Sequence, residues 1–276
     1  MTSIAVRKNI NIPNGTGTIV DLTVLLAEEL PCSWSSHMPF QQKTFNYFKT
    51  EESTESFLYN RTGPYQTRFL VIDEHTGTHF DAPAHFIPEE GSGITHEGPA
   101  GDVTAEKVPL DQMMGPAVVI DIPEDLPGTE MGVSGYIQPE AVLEHEEKHG
   151  KIQPGDIVLF RSGWDRHYKA GADGNPYCYD PLITGEGLGW PAPDVPVMEL
   201  LMERGVRCVG IDSPSMGSTH NGPPVHVAAL KTGAVFLEGL ANLKELPNTG
   251  AWFCFAPIFL KRGTGAPGRA FAIIPD

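Results

Sequence analysis

The residues best suited to chemistry lie in one run, His75-Thr76-Gly77-Thr78-His79-Phe80-Asp81-Ala82-Pro83-Ala84-His85. His75, His79, Asp81 and His85 all occupy odd positions, so in an extended chain they face one side of the strand. A helix does not suit the run: Thr76, Gly77 and Thr78 are weak helix formers, and Pro83 would break the ladder. A flat strand rises roughly 3.3 Å per residue and would hold His75 and His79 about 13 Å apart, too far to share one ion. Gly77 can supply the necessary bend, because it takes positive φ or a bulge without steric cost. Asp81 then adds an anionic oxygen, and Pro83 fixes the exit towards His85. Two histidines and an aspartate leave coordination positions open, as catalytic sites do. Imidazole and oxygen ligands without thiolate suit Zn2+ and Mn2+ alike, at one or two ions per chain. The plainer alternative is a strand end followed by a His-rich polar loop. Three imidazoles and a carboxylate on one side, threaded by Gly and Pro, favour the metal.

A second candidate is Glu238, set in Ala234-Val235-Phe236-Leu237-Glu238-Gly239-Leu240. A carboxylate in so apolar a strand needs a cation or hydrogen-bond partners, unless it marks the exposed strand end. The stretch from Trp34 to Tyr65 holds Trp34, Phe40, Phe45, Tyr47, Phe48, Phe57, Tyr59 and Tyr65 without a clean period. It is either ordinary packing or the wall of a pocket for a flat substrate, with Trp34 and Phe40 the candidate contacts. His37, His96, His145, His149 and His167 are expected as solvated loop or helix-surface residues. A serine mechanism is disfavoured, because Asp212-Ser213-Pro214-Ser215 lacks the Gly-x-Ser-x-Gly elbow.

The elements that must position these residues alternate between strand and helix. Strands are expected at Thr18 to Leu25, Thr67 to Ile72, Ala117 to Ile122, Asp156 to Phe160, Arg207 to Ile211, Ala234 to Leu237, Trp252 to Phe259 and Arg269 to Ile274. Helices are expected from Pro139 to His149, from Val197 to Arg204, and from Pro223-Pro224 to a point before Gly233. This order predicts an α/β fold with parallel pairings in the middle and more purely β ends. The Gly- and Pro-rich stretch Trp164 to Asp194 reads as a long loop, either a functional flap or a surface excursion. No composition break marks a linker, so residues 1–276 are expected to form a single domain with a mixed sheet.

Composition narrows the partners. With 19 Lys and Arg against 35 Asp and Glu, the formal charge of −16 disfavours nucleic acid and anionic membrane surfaces. The four cysteines stand apart without a Cys-x-x-Cys pair, so neither a zinc cage nor a redox dithiol is indicated. With no secretory-type apolar segment, the expectation is a cytoplasmic protein acting on a small molecule.

The run from His75 to His85 resembles, position by position, the pattern His-x-Gly-Thr-His-x-Asp-x-Pro-x-His of the cyclase-like metal-dependent hydrolases, which include bacterial kynurenine formamidases and isatin hydrolases. The resemblance extends to Val20-Asp21-Leu22-Thr23, Gly155 to Trp164, Gly210-Ile211-Asp212 and Phe236 to Leu240. It implies a swivelling β/β/α fold assembled as a homodimer or homotetramer. It also implies that His75, His79 and Asp81 are metal ligands, that His85 is the general acid/base, and that His226 and Glu238 complete a second metal position. For His226 the alternatives are a satisfied histidine on a helix face, and His220 as a competitor. Trp34 lies where formamidases place a substrate-contacting tryptophan, although the aromatic excursion is longer here. The activity implied is hydrolysis of an amide-type C–N bond, as in an aryl formamide. The alternatives are a ring-opening lactam hydrolase of the isatin type or a non-catalytic metal- or ligand-binding scaffold. Glu238 favours a formamidase-like two-ion site, where a bridging carboxylate is useful.

Overall fold

Short β-branched runs separated by Gly and Pro turns become strands in the computed structural model, which describes residues 7–12, 15–48, 63–123, 126 and 130–276. In chain order these are β1 Arg7–Ile12, β2 Gly15–Asp21, β3 Gln41–Asn46, β4 Thr67–Val71, β5 His79–Asp81, β6 Met114–Asp121 and β7 Tyr136–Ile137. There follow α1 Pro139–His149, β8 Ile157–Arg161, β9 Ala192–Pro193, α2 Val195–Glu203, β10 Cys208–Ile211, α3 Pro223–Leu230, β11 Val235–Glu238, β12 Trp252–Pro257 and β13 Gly265–Pro275. Among the described residues no helix is long and apolar enough to cross a membrane. Phe57 and Tyr59 of the aromatic stretch lie outside the described residues.

The expected parallel centre is present. β6, β8, β10 and β11 pair in parallel, and the crossovers between them carry α1, α2 and α3. The main sheet runs β1-β2-β13-β12-β6-β8-β10-β11-β5, and β5 pairs again with β13. The strands from β13 round to β5 therefore close into a ring. Side-chain alternation divides the core between its two faces. Val119, Leu159, Leu237, Phe253 and Phe255 fill the enclosed face, joined by Phe80. Val118, Val158, Phe160, Val209 and Phe236 face outward against Val142 of α1, Val197 and Leu201 of α2, and Val225 and Ala229 of α3.

α1 keeps its expected bounds, with Pro139 in its first turn and Gly150 at positive φ beyond its end. α2 begins two residues earlier than expected because the Asp194 carboxylate accepts the Val195 N–H at 2.7 Å. The strand expected through Phe259 stops at Pro257. β3 was not expected, because Gln-Gln-Lys-Thr-Phe-Asn carries no apolar alternation; it forms a separate two-stranded sheet with β4. The 164–194 stretch is anchored rather than free. Its Trp164, Tyr177, Cys178, Trp190 and Ala192 make a third small core, and Trp190 Nε1 donates to Gly217 O at 2.8 Å.

β5 has three residues, too few to stand out as a strand, and its stability comes from being flanked by β11 and β13. Phe80 is fully buried between Leu237 and Ala266, its pairing partners, with its ring edge-on to Phe255 at 6.2 Å. Phe80→Ala should therefore destabilise the protein by about 3–5 kcal/mol in denaturant unfolding, the range for loss of a buried aromatic ring. A loss below about 1 kcal/mol would mean that closure of the ring through β5 contributes little.

Candidate metal centre

Because Phe80 points into the ring, its neighbours His79 and Asp81 project to the outer side, where α3 packs. Register completes the arrangement. Glu238 of β11 pairs opposite His79, and Gly265 of β13 opposite Asp81. Gly77 lies at φ +63°, the bend the sequence calls for, and a Cβ there would collide with Leu26 Cδ2. The chain is thus not one flat extended face. The bend returns His75 over the strand, so that its Nδ1 lies 2.8 Å from Asp81 Oδ1. Pro83 opens a single 3-10 turn, Pro83–His85, which swings His85 back to stack on His75 with ring centres 3.9 Å apart.

Two sets of potential ligands result: His75, His79 and Asp81, and Asp81, His226 and Glu238, with the donor atoms of each within 4.8 Å of one another. His79 Nε2 lies 3.4 Å from Asp81 Oδ1 and 3.5 Å from Glu238 Oε2. His226 Nε2 lies 3.3 Å from Glu238 Oε1 and 3.7 Å from Asp81 Oδ2. The carboxylate common to both sets is Asp81, whereas the sequence reading gave the bridging part to Glu238. Glu238 is instead held at one oxygen by the Ser215 hydroxyl and the Met216 N–H, at 3.2 and 2.6 Å.

These residues fit a divalent cation. Asp81 Oδ2 is buried without a hydrogen-bond partner, and among the described residues no Lys or Arg pairs with Asp81 or Glu238. Buried carboxylates need a positive partner, and without a cation only the imidazoles can supply one. Burial alone would lower the His79 pKa, but hydrogen bonds to Asp81 and Glu238 overcome it and raise His79 to about 10. His226 is raised in the same way, burial being outweighed by Glu238 and Asp81. Asp81 is held well below the usual carboxylate range: burial opposes this, and facing His85, His75 and His79 prevail. His85 goes the other way, pushed down to about 4 by burial, with Asp81 opposing. It is a neutral base at neutral pH.

A cavity of about 280 Å³ opens on this cluster, lined by Trp34, Phe86 and Leu182 on its apolar side and by His85, His226 and Glu238 at its floor. Phe86 stacks on His226 at 4.1 Å, and Trp34 meets Trp190 edge-on at 5.9 Å. Phe40 is buried and does not line the cavity; its N–H donates to Ser33 Oγ. His220 lies apart, its Nε2 3.1 Å from the Tyr136 hydroxyl. His37 is the solvated loop residue the sequence leads one to expect, its side chain 41% exposed, and it also lines the cavity, with Nδ1 3.3 Å from Asp73 Oδ2. Only the spacing of Asp73, two residues before His75, could have hinted at it. His145 is buried on α1, contrary to the expectation of a solvated position, with its ring 4.7 Å from that of His149.

A closed mixed sheet that presents two overlapping His/Asp/Glu sets defines an α/β protein with a buried cluster suited to a divalent cation. The family model described as "Putative cyclase" matches residues 20–218. An isatin hydrolase from Roseibium aggregatum is 30% identical over 225 residues, covering 79% of this chain and 78% of that protein. A kynurenine formamidase from Salinibacter ruber is 29% identical over 210 residues, covering 73% and 76%. Isatin hydrolase A from Labrenzia aggregata, solved with benzyl benzoate, has a TM-score of 0.71 at 26% identity and covers 94% of each chain. The chain belongs to this cyclase family and has the cyclase-like fold of the isatin hydrolase structure.

The raised imidazoles have a measurable consequence. In the metal-free protein His79, at about 10 against an ordinary 6.5, contributes stability that is fully present below pH 6.5 and lost as pH rises through about 10. A cation must displace that proton, so loading at pH 7 should release at least one proton and affinity should rise with pH. Titration calorimetry of Zn2+ or Mn2+ binding in buffers of different ionisation enthalpy would count the protons. Release of none would show that His79 is already neutral in the metal-free protein.

Proposed function

We propose that this chain is a metal-dependent amidohydrolase that cleaves a C–N bond of a small aromatic molecule, an aryl formamide being the first candidate. The observation that carries the reading is the shared carboxylate: Asp81 belongs to both ligand sets, and one of its buried oxygens lacks a partner, beside an aromatic-walled cavity. His75, His79 and Asp81 would hold a divalent cation, with His226 and Glu238 completing a second position, and such a cation would supply Lewis acidity towards a carbonyl and a water. Zn2+ and Mn2+ both suit the nitrogen and oxygen donors.

The chain's own groups supply the rest. Trp34 and Phe86 hold the flat ring of the substrate between apolar surfaces. His85 is neutral, stacked on His75, and opens on the same cavity. It accepts the proton of the attacking water and returns it to the leaving nitrogen, so that amide and water become acid and amine. His37 at the cavity wall, steadied by Asp73, offers a hydrogen bond to a polar substituent. Ring-opening hydrolysis of a lactam is the second reading, favoured by the 30% identity to an isatin hydrolase.

The metal-loaded protein should be screened with aryl formamides against isatin-like lactams, and His85→Ala compared with His79→Ala for metal content and kcat. His85→Ala should keep its metal and lose about 10²–10⁴-fold in rate. His79→Ala should lose both. If His85→Ala loses its metal as fully as His79→Ala does, His85 is a ligand and the proton route is wrong. Turnover of neither substrate class by loaded wild type would favour a binding scaffold.

A further inference from the structure

Resting on the metal reading above, we propose that Thr264 and Glu74 are positioning residues of the centre, which fix the proton of His75 on Nε2 and so reserve its Nδ1 for the cation. The three imidazoles of the two ligand sets are not held alike. His79 Nδ1 lies 2.8 Å from Gly77 O, and His226 Nδ1 lies 2.9 Å from Gly222 O. A carbonyl oxygen only accepts, so both rings carry a proton on Nδ1 and turn Nε2 to the carboxylates. His75 is reversed. Its Nδ1 faces Asp81 Oδ1, and its Nε2 lies 3.1 Å from Thr264 Oγ1.

A hydroxyl by itself could either donate or accept, and Glu74 decides which. The Thr264 hydroxyl donates its one proton to Glu74 Oε2 at 2.9 Å, leaving only lone pairs towards His75. The same Glu74 oxygen accepts the backbone N–H groups of Thr264 and Gly265, at 2.6 and 3.3 Å, which pins the segment entering β13. Gly265 leaves room for the ring, since a Cβ there would stand 2.6 Å from His75 Cε1 and 2.5 Å from Phe80 O. Nε2–H of His75 must therefore donate to Thr264. In the opposite tautomer the ring's lone pair would point at Thr264, away from His79 and Asp81, and the first ligand set would lose a member. Partners that orient a metal-binding imidazole typically contribute about 10–100-fold to metal affinity.

The test compares Thr264→Val, which keeps shape but removes the acceptor, with Thr264→Ser, which restores a hydroxyl. Zn2+ affinity would be measured by competition with a chromophoric chelator, and metal-free melting would check folding. Thr264→Val should bind Zn2+ about 10–100-fold more weakly, with Thr264→Ser close to wild type. Long-range ¹H–¹⁵N spectra of the Zn2+-loaded wild type give a second readout independent of any variant. His75 should show a protonated Nε2 and a ligated Nδ1, with His79 and His226 the reverse. Wild-type affinity in folded Thr264→Val, or a proton on Nδ1 of His75, would overturn the proposal and leave the metal reading standing. If Thr264→Val fails to fold, the wild-type spectrum decides alone. If the wild type binds neither Zn2+ nor Mn2+, the metal reading falls and this proposal with it.

Discussion

Two carboxylates, Asp81 and Glu238, are buried side by side with no Lys or Arg among the described residues to neutralise them, and much of the surrounding structure answers that constraint. Isolated charges in a protein interior cost several kcal/mol each unless paired. Hydrogen bonds from Ser215 and Met216 satisfy one oxygen of Glu238, but Asp81 Oδ2 has no such donor. Imidazolium can answer the charge at the expense of holding protons on rings that would otherwise be ligands. A divalent cation answers it without that conflict, and it explains why one carboxylate stands between two ligand sets.

The sheet delivers this arrangement through register. β5 is short, yet it is paired on both edges, as a central strand is. A slip of one residue would turn His79 and Asp81 inward and bring Phe80 out among polar groups, so burial of Phe80 and presentation of the ligands are one constraint. Glycine is needed where backbone must come close. Gly77 at positive φ turns His75 over the strand, and Gly265 leaves space for its ring.

The cavity and the charge cluster divide the chemistry. Trp34, Phe86 and Leu182 give the cavity its apolar area, while the polar groups meet at the floor. His85 differs from the other imidazoles because its ring contacts are with His75, Phe86 and His226 rather than with a carboxylate. Burial lowers the basicity of all these rings, and at His85 no hydrogen bond to a carboxylate offsets it, so this ring is neutral at neutral pH. Family membership at 25–30% identity places this chain beside isatin hydrolases and kynurenine formamidases.

Sequence by itself determined the parallel α/β centre, the bounds of α1, the bend at Gly77 and the group from His75 to Asp81, because each rests on local pattern or backbone chemistry. Glu238 was legible as a carboxylate out of place in an apolar strand. His226 was visible only through resemblance, since nothing in Pro223-Pro224-Val225-His226 separates a ligand from a satisfied core histidine. Only tertiary structure decided that Asp81, and not Glu238, is common to both sets, because sharing depends on how β5 and α3 meet in space. The same holds for His37, brought to the cavity by Asp73, and for Thr264, which lies 189 positions from His75. Local pattern records which face a side chain takes, and it carries no information on which distant hydroxyl that face will meet.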